Sequence, residues 1–479
     1  MKFKKGISLL LAVSLFFCLT ACSSFVNKPT KNNSDESNGL WREEYVSEEE
    51  KAAALVDDDH IFDYKTEKWK GPKGYVIVVP DGNSSAKETA EALQVYYEET
   101  AKVTLKIVTD KTCETGKEIL IGKTSRKESA SDMKEADIKV SLKGNKLVFD
   151  GGHDVTVDSA VNKFIRLEPK ENEAFTFSIS TDFKSTLDGG YKYVWGDEFE
   201  GGDVDFTKWD FTEKMTAMSV KAETAYTKDV INVSDGRLKL TAIRCFNPEA
   251  EGVEFRMPYS VNSEYHMNWV YGYAEIRARI PTIKGTWPSY WTQTTDALSG
   301  YRNPECMVEV DVFEGFGLDY IIPNMHRWYT WQAYNKYYGT NLTSGSRTAG
   351  YNVYGTESKQ YVWDRDKDKE FAYEYHIYGY EWTPTEIKTS VDGVVYNTYD
   401  IVNSYDKNPD MSAFHDPQFI IFNNHISLND TGGFAISVID GEEKLLPAQY
   451  YIDYFRLYQK PGVGKLYVDT SNPKSYPGR

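Results

Sequence analysis

A ten-residue run, Cys306–Gly315, places three carboxylates in an otherwise apolar, β-prone sequence. Because side chains alternate along a strand, Glu309 and Asp311 should point to one face and the valines between them to the other. Glu314 is out of step by one residue, and a β-bulge near Val312 would return it to the face of the other two acids. Acids this close together repel one another and lose hydration, so the run indicates a chemical role.

The composition limits the partners of the chain. The 479 residues carry a net charge of −17, which argues against nucleic acid or a polyanion as partner, because such ligands need clustered Lys and Arg. Aromatic residues are abundant, and nine of the 11 Trp lie in the region 195–382. This balance fits an extracellular protein that acts on neutral molecules.

The N-terminus predicts export. Three lysines in the first five residues precede an apolar run at 7–19, which is too short to span a membrane comfortably. The ending Leu19-Thr20-Ala21-Cys22 resembles a bacterial lipobox, which implies a lipoprotein signal at 1–22 and a lipid on Cys22. A polar tether would follow at 23–60 and hold the protein on the extracellular face of the cell membrane. The alternative is an ordinary signal peptide with a chance cysteine.

The other cysteines do not indicate a metal site. Cys113, Cys245 and Cys306 have no metal-ligand spacing, and their odd number predicts no disulfide framework. Cys306 has the parity of the face opposite the acids, which predicts a packed thiol.

A first domain, predicted at 61–186, has the pattern of a small α/β sandwich. A helix capped by Ser84 or Ser85 should bury a stripe of small and apolar residues. The expected strands lie at 75–79, 104–108 and 118–121, a hairpin at 140–149 and a second helix at 156–167. His153 is expected to be a solvated loop residue. The run Ile119-Leu120-Ile121-Gly122 and the hairpin-then-helix order resemble the α/β domains that precede some glycosidase catalytic domains, such as those of α-glucuronidases and β-hexosaminidases.

The sequence pattern changes in the region 190–460. Short β-rich runs recur between Gly, Asn, Asp and Pro, and long helical periodicity is absent. Many short strands at this spacing predict an all-β sandwich. The tail at 461–479 is rich in Pro, Gly and Ser, and we expect it to be loosely held.

The acids of the central run suit glycoside hydrolysis. Cleavage with retention needs two carboxyls roughly 5–5.5 Å apart, one as nucleophile and one as acid/base. With a bulge, Glu309 and Glu314 are four effective steps apart, about 13 Å between backbones, and two long side chains can close that gap. Asp311 between them would couple their titrations. The alternatives are a solvated acidic edge strand or a calcium site, although calcium ligands usually come from a flexible loop.

The segment Glu309-Val310-Asp311-Val312-Phe313-Glu314 resembles the catalytic signature of glycoside hydrolase family 16 in its bulged form, as seen in laminarinases, agarases and carrageenases. Further segments resemble strands of that family in the same order: 194–199, 271–281, 285–291, 376–384, 391–393 and 451–458. The resemblance implies a jelly-roll sandwich of the concanavalin A type with a sugar-binding cleft. It also implies that Glu309 is the nucleophile, Asp311 its assisting carboxylate and Glu314 the general acid/base.

The resemblance extends to substrate contacts. Trp287 and Trp291 share strand parity and would stack against sugar rings in the cleft, with core packing as the alternative. Asn423 is expected to contact sugar.

Two further positions carry expectations from the same resemblance. His326 would hydrogen-bond Glu314 or sugar, or else be a structural histidine. Asp453 falls where many members hold a structural calcium, although a plain strand contact is an alternative. No cofactor is expected to be required beyond that possible calcium.

The expected function is that of an endo-acting retaining glycosidase on a β-linked polysaccharide, with β-1,3- or mixed-linkage glucan as first candidate. Val308 stands where the family often has Gly, and the Tyr-rich stretch 320–364 is not mapped, so the substrate is less constrained than the reaction. A glycan-binding protein without activity and a transglycosylase are the alternatives on the same fold. We expect a monomer whose partners are the polysaccharide and, through the lipid, the membrane.

Overall fold

The computed structural model describes residues 67–129, 133–167, 175–177, 179–180, 187, 190–212, 222–244, 255–282, 285–296, 298, 303–315, 320–343, 348–349, 361–362, 375–404, 407–426 and 446–469. They form two compact units, divided between Glu200 and Gly201. Within this part of the chain, no helix is long and apolar enough to cross a membrane. The predicted signal peptide, Cys22, the tether and Cys245 lie outside the described residues, and the predicted domain limits stay predictions.

The first unit is built on a six-stranded sheet of order β3-β2-β4-β6-β5-β8, while β1 pairs with β7. Its elements are β1 Glu67–Trp69, β2 Val76–Val79, α1 Ser84–Ala101, β3 Lys106–Thr109, β4 Glu118–Ile121, β5 Ile138–Lys143, β6 Lys146–Gly151, α2 Asp154–Leu167, β7 Phe175–Phe177, β8 Ile179–Ser180 and β9 Lys192–Asp197. The strand pairing is parallel from β3 to β6 and antiparallel in the β5–β6 hairpin. The predicted smaller α/β unit is therefore confirmed.

Helix α1 shows how the sequence specifies this unit. Its apolar stripe packs against the sheet and is buried as predicted: Ala86, Ala90, Leu93 and Tyr97. The predicted cap was wrong, because Asn83 caps the helix and its Oδ1 accepts from the Ala86 N–H at 2.9 Å. Asn is as good a cap as Ser, so the pattern alone left the helix start uncertain by one residue.

His153 lies in the loop before α2, as predicted, but it is less solvated than expected. Its Nδ1 accepts from the Val155 N–H at 3.2 Å, and its ring lies 4.8 Å from the ring of Tyr193. The half-buried imidazole therefore helps to begin the helix.

The second unit is a sandwich of two sheets, which confirms the predicted all-β jelly-roll class. One sheet runs β10-β15-β26-β18-β19-β20-β21, with β16 on β26, β28 on β16 and β22 on β20; the other runs β11-β14-β13-β27-β17-β23-β24-β25, with β12 on β13. The elements are β10 Asp210–Thr212, β11 Ala222–Ala225, β12 Ile231–Ser234, β13 Arg237–Arg244, β14 Phe255–Pro258, β15 Ser260–Asn262, β16 Met267–Val270, β17 Gly272–Arg279, β18 Thr286–Thr294, β19 Cys306–Gly315, β20 Tyr320–Tyr329, α3 Trp331–Tyr338, β21 Thr348–Ala349, β22 Tyr361–Val362, β23 His376–Trp382, β24 Glu386–Val391, β25 Val394–Asp400, a 3-10 helix Ser412–His415, β26 Gln418–Ile426, β27 Ala448–Gln459 and β28 Lys465–Val468.

The core lies between the two sheets. Val308 and Val310 of β19 are fully buried there, and the Phe313 ring lies 4.5 Å from that of Tyr378 in the opposite sheet. Cys306 has the same parity and is a buried thiol, as predicted. The apolar face of the acidic strand therefore anchors it rigidly, and the acids occupy the other face.

Two segments differ from expectation. The predicted loose tail is wrong in part, because Lys465–Val468 forms β28 and pairs with Met267–Val270. Helix α3 was not predicted; it has a Thr330 N-cap and Gly339 in the left-handed region at φ 68°. Eight residues are too few for a periodic pattern to stand out.

Candidate active site

The strand pairing around β19 confirms the predicted bulge. On β18, Glu309 lies opposite Gln293 and Glu314 opposite Ser289, so five steps along β19 correspond to four along its neighbour. The register shifts against β20 as well, between Asp311 and Glu314. Directly opposed residues share a face, so all three acids lie on the side away from the core, with about 13 Å of backbone between the outer two.

Strand β20 supplies a row of polar side chains to the same face. Asn324 lies opposite Asp311, and His326 opposite Glu309. Trp328 is two residues further along and therefore also faces the acids. The acidic strand is thus flanked by hydrogen-bond donors rather than by solvent.

Glu314 is held at both oxygens. The Trp287 indole N–H donates to Oε1 at 3.1 Å, and the Asn324 amide donates to Oε2 at 2.5 Å. Burial, and after it the charge of Asp311, raises the pKa of Glu314 to about 8, although the charge of His326 and the Asn324 hydrogen bond favour the ionised form. The carboxyl is therefore protonated at neutral pH, as a general acid must be.

Glu309 has a different environment. The Trp328 indole N–H donates to its Oε2 at 3.1 Å, and His326 Nε2 lies 3.9 Å from its Oε1. A donor and a cation both favour the ionised carboxylate. The two glutamates are thus differentiated in the way that a nucleophile and an acid require.

His326 links the acids electrostatically. Its Nε2 lies 3.3 Å from Asp311 Oδ2. Burial would lower the pKa of His326, but the contact with Asp311 and the charges of Glu309 and Asp311 outweigh it and raise the pKa to about 9. The imidazole is therefore a cation beside two carboxylates. The expected hydrogen bond from His326 to Glu314 is absent among the described residues, because His326 lies opposite Glu309, whereas Glu314 lies opposite Ile322 and within reach of Asn324.

The predicted sugar-stacking residues support one another. The Trp291 indole N–H donates to Asn423 Oδ1 at 2.7 Å, and the Asn423 amide donates to the Trp287 carbonyl at 3.4 Å. Asn423 is 1% exposed, whereas the two indoles keep 7% and 8%. The amide therefore orients the Trp291 indole and ties β26 to the backbone at Trp287, and contact of any of these side chains with sugar stays a prediction.

The carboxylates and His326 lie close enough together to be considered as a metal site. Ligand atoms of Glu309, Asp311 and His326 lie within 4.8 Å of one another. A metal needs the lone pair of a neutral imidazole, and a pKa of about 9 keeps His326 protonated at neutral pH. The cluster therefore fits acid–base chemistry better than metal binding.

The surroundings of Asp453 do not fit the calcium that the resemblance suggested. Its Oδ2 lies 2.9 Å from Nη1 of Arg277, and the two side chains are 1% and 0% exposed. A guanidinium already balances the carboxylate and would repel a divalent cation. Asp453 thus makes the strand contact that was the alternative.

Replacing Asp453 by Asn should lower the free energy of unfolding by about 3–5 kcal/mol, because it removes the carboxylate charge that balances a buried guanidinium. Urea denaturation measures this change. Asp392→Asn is the control, since its pair with His376 is 44% exposed on the aspartate side and should contribute at most about 1 kcal/mol. Equal effects of both variants, or stabilisation of the wild type by calcium relative to EDTA, would show that Asp453 has another role.

Asn324 and Trp328 were not predicted as site residues. Both residues could have been predicted from the position of His326, because alternate residues of one strand share a face. The sequence could not predict which donor bonds which acid, because this depends on the bulge and on the pairing of β19 with β20.

Asn324→Leu should move the basic limb of the pH–rate profile to higher pH. The amide donates to Glu314 and favours its ionised form, so its removal raises the pKa of that carboxyl further, and the acid stays protonated to higher pH. Profiles of kcat/KM measure the limb, with Asn232→Leu on β12 of the other sheet as control. A limb that stays in place or moves to lower pH would disprove this role.

Comparisons with known proteins find similarity in the β-sandwich unit. The family model "Glycosyl hydrolases family 16" matches residues 218–435. A β-glucanase of Rhodothermus marinus is 28% identical over 273 residues, covering 56% of this chain and 85% of that protein. A glucan endo-1,3-beta-glucosidase of Cryptopygus antarcticus is 28% identical over 284 residues, covering 57% and 94%. The X-ray structure of the laminarinase from Rhodothermus marinus is 25% identical and covers 56% of this chain and 97% of that chain, with a TM-score of 0.41.

The matched residues include the bulged strand, both of its glutamates and the strands on either side. The β-sandwich unit of this chain is therefore similar to glycoside hydrolase family 16 over residues 218–435, and this similarity supports glycosidase activity.

Proposed function

We propose that the β-sandwich unit hydrolyses a β-linked glucan internally and with retention, and that β-1,3- or mixed-linkage glucan is the substrate. The observation that carries the reaction is the different environment of the two glutamates on one face of one strand: the pKa of Glu314 is raised, whereas Glu309 lies beside one donor and one cation. The glucan is supported by the relatives, which are a β-glucanase and an endo-1,3-beta-glucosidase.

In the proposed mechanism Glu309 attacks the anomeric carbon while Glu314 gives its proton to the leaving oxygen. The bond to the leaving group breaks, and a glycosyl ester forms on Glu309. Glu314, now ionised, takes a proton from water, which attacks the ester and restores the β configuration. Asp311 and His326 hold the charge balance around Glu309 through both steps.

A polysaccharide panel tests the substrate. Laminarin, mixed-linkage glucan, xyloglucan, agarose and carrageenan are incubated with the protein, and new reducing ends and product sizes are measured. We expect reducing ends from the first two, with a fall in viscosity that shows internal cleavage. Release from none of the five would favour a non-catalytic glycan-binding protein, and longer products with excess acceptor would favour a transglycosylase.

Proton NMR of the first product tests retention. The β anomer should appear first and then mutarotate. If the α anomer appears first, the enzyme inverts, and Glu309 acts as a base rather than as a nucleophile.

We also propose that the protein is a monomer held on the extracellular face of the membrane by a lipid on Cys22. The support is the N-terminal sequence, in which three lysines precede an apolar run at 7–19 that ends in Leu19-Thr20-Ala21-Cys22. Cys22→Ser should release the protein from the membrane fraction and abolish labelling with a radioactive fatty acid. If Cys22→Ser stays in the membrane fraction and the wild type takes up no fatty-acid label, the lipid anchor is disproved.

A further inference from the structure

His425 of β26 lies on the same face as the catalytic acids. It stands directly opposite Trp287 of β18. Directly opposed residues share a face and have Cβ atoms roughly 4.5–5.5 Å apart. Because the Trp287 indole donates to Glu314, the imidazole lies on the Glu314 side of the acid row.

The imidazole of His425 is buried, and its nitrogens make no hydrogen bond with the described residues of the fold. The residue is 3% exposed, and neither ring nitrogen has a hydrogen-bond partner among the described residues. A buried polar group without a partner costs roughly 1–3 kcal/mol. A fold that needed only packing at this position would be more stable with an apolar side chain there.

The other residues of β26 on the face of the acids are less suited than His425 to hydrogen-bond a ligand. Phe419 and Ile421 are apolar and pack against Trp291, and the Asn423 amide is committed to the two tryptophans. Burial lowers the pKa of His425 to about 4, so the ring is neutral at neutral pH. A neutral imidazole has one donor and one acceptor, which is the complement of an alcohol that accepts and donates.

We propose that His425 is a substrate-binding residue that recognises a sugar hydroxyl on the Glu314 side of the cleft, next to Trp287. This inference rests on the proposed function and adds a residue that selects among sugars. Its low exposure requires that the hydroxyl reach in beside the indole, so the contact distinguishes sugars by the position of that group. A ligand that lacks the hydroxyl leaves the imidazole buried and unpaired, which is how a polar site rejects an analogue.

His425→Leu and His425→Gln test this role with a β-1,3-glucan hexasaccharide as probe. His425→Leu should raise KM about 5- to 10-fold, because the substrate loses roughly one neutral hydrogen bond to a buried group. Gln keeps a donor and an acceptor and should restore most of the affinity. His376→Gln on β23 is the control, because that histidine belongs to the other sheet and pairs with Asp392.

The melting temperature separates binding from structure. His425→Leu removes two buried unpaired nitrogens, so its melting temperature should match or exceed that of the wild type. An unchanged KM in His425→Leu, equal losses in the Leu and Gln variants, or a KM rise that accompanies a lower melting temperature would each overturn the proposal. Absence of hydrolysis by the wild type and the control would instead disprove the proposed function.

Discussion

Glu309→Gln is expected to lower kcat/KM on the preferred glucan by on the order of 10⁴-fold or more. The amide has the shape of the carboxylate but is not a nucleophile, so no glycosyl ester can form. Its oxygen can still accept from the Trp328 indole, and the apolar side of β19 is unchanged. We therefore expect the variant to remain folded, because His326 keeps its contact with Asp311 although it loses the charge of Glu309.

Glu305→Gln is the matched control for that loss. Glu305 precedes the same strand, is partly exposed and bonds Lys336 and Tyr337 of α3 rather than the acid row. Its replacement should leave hydrolysis close to the wild-type rate. A loss of less than about tenfold in Glu309→Gln, in a folded protein, would exclude Glu309 as the nucleophile.

Glu314→Gln should lower kcat/KM on the glucan by about 10²–10⁴-fold, the usual contribution of a general acid. The loss should be smaller on an aryl β-glycoside whose phenol leaves without protonation. Catalysis needs protonated Glu314, so the wild-type rate should fall as the pH rises through about 8, and this limb should be missing in the variant. Rates on both substrates across the pH range measure these effects.

The comparison of substrates makes the test of Glu314 specific. A damaged fold or a displaced Trp287 would slow both substrates in proportion. Equal losses on glucan and aryl glycoside, or a basic limb that persists in Glu314→Gln, would assign the protonation to another group.

The bulge shows why part of the site could be predicted. Glu314 has the wrong parity for a regular strand, and one extra residue near Val312 corrects it. A side-chain period of 2 leaves few ways to place three acids on one face. The same parity predicted the buried positions of Val308, Val310 and Cys306.

Pairing between strands explains what was missed. The partner of Glu314 is Asn324 and not His326, because the pairing of β19 with β20 places His326 opposite Glu309 and Glu314 within reach of Asn324. Such a register depends on contacts between distant segments, and no local pattern encodes it. The pairing of Asp453 with Arg277 has the same origin, since 176 positions separate them in sequence.

Length limited the prediction of two other elements. Helix α3 has eight residues and β28 four, so neither builds up a recognisable period. Both are held by their neighbours: α3 by its Thr330 cap and β28 by its pairing with β16.

Covalent labelling of the nucleophile tests the central claim most directly. An activated 2-fluoro β-glucoside of the preferred linkage should form a glycosyl ester that hydrolyses slowly, and peptide mass spectrometry locates it. We predict one added glycosyl group, on the peptide with Glu309 and on that side chain. A label on Asp311 or Glu314, or no label on an enzyme that the reagent leaves fully active, would contradict the account.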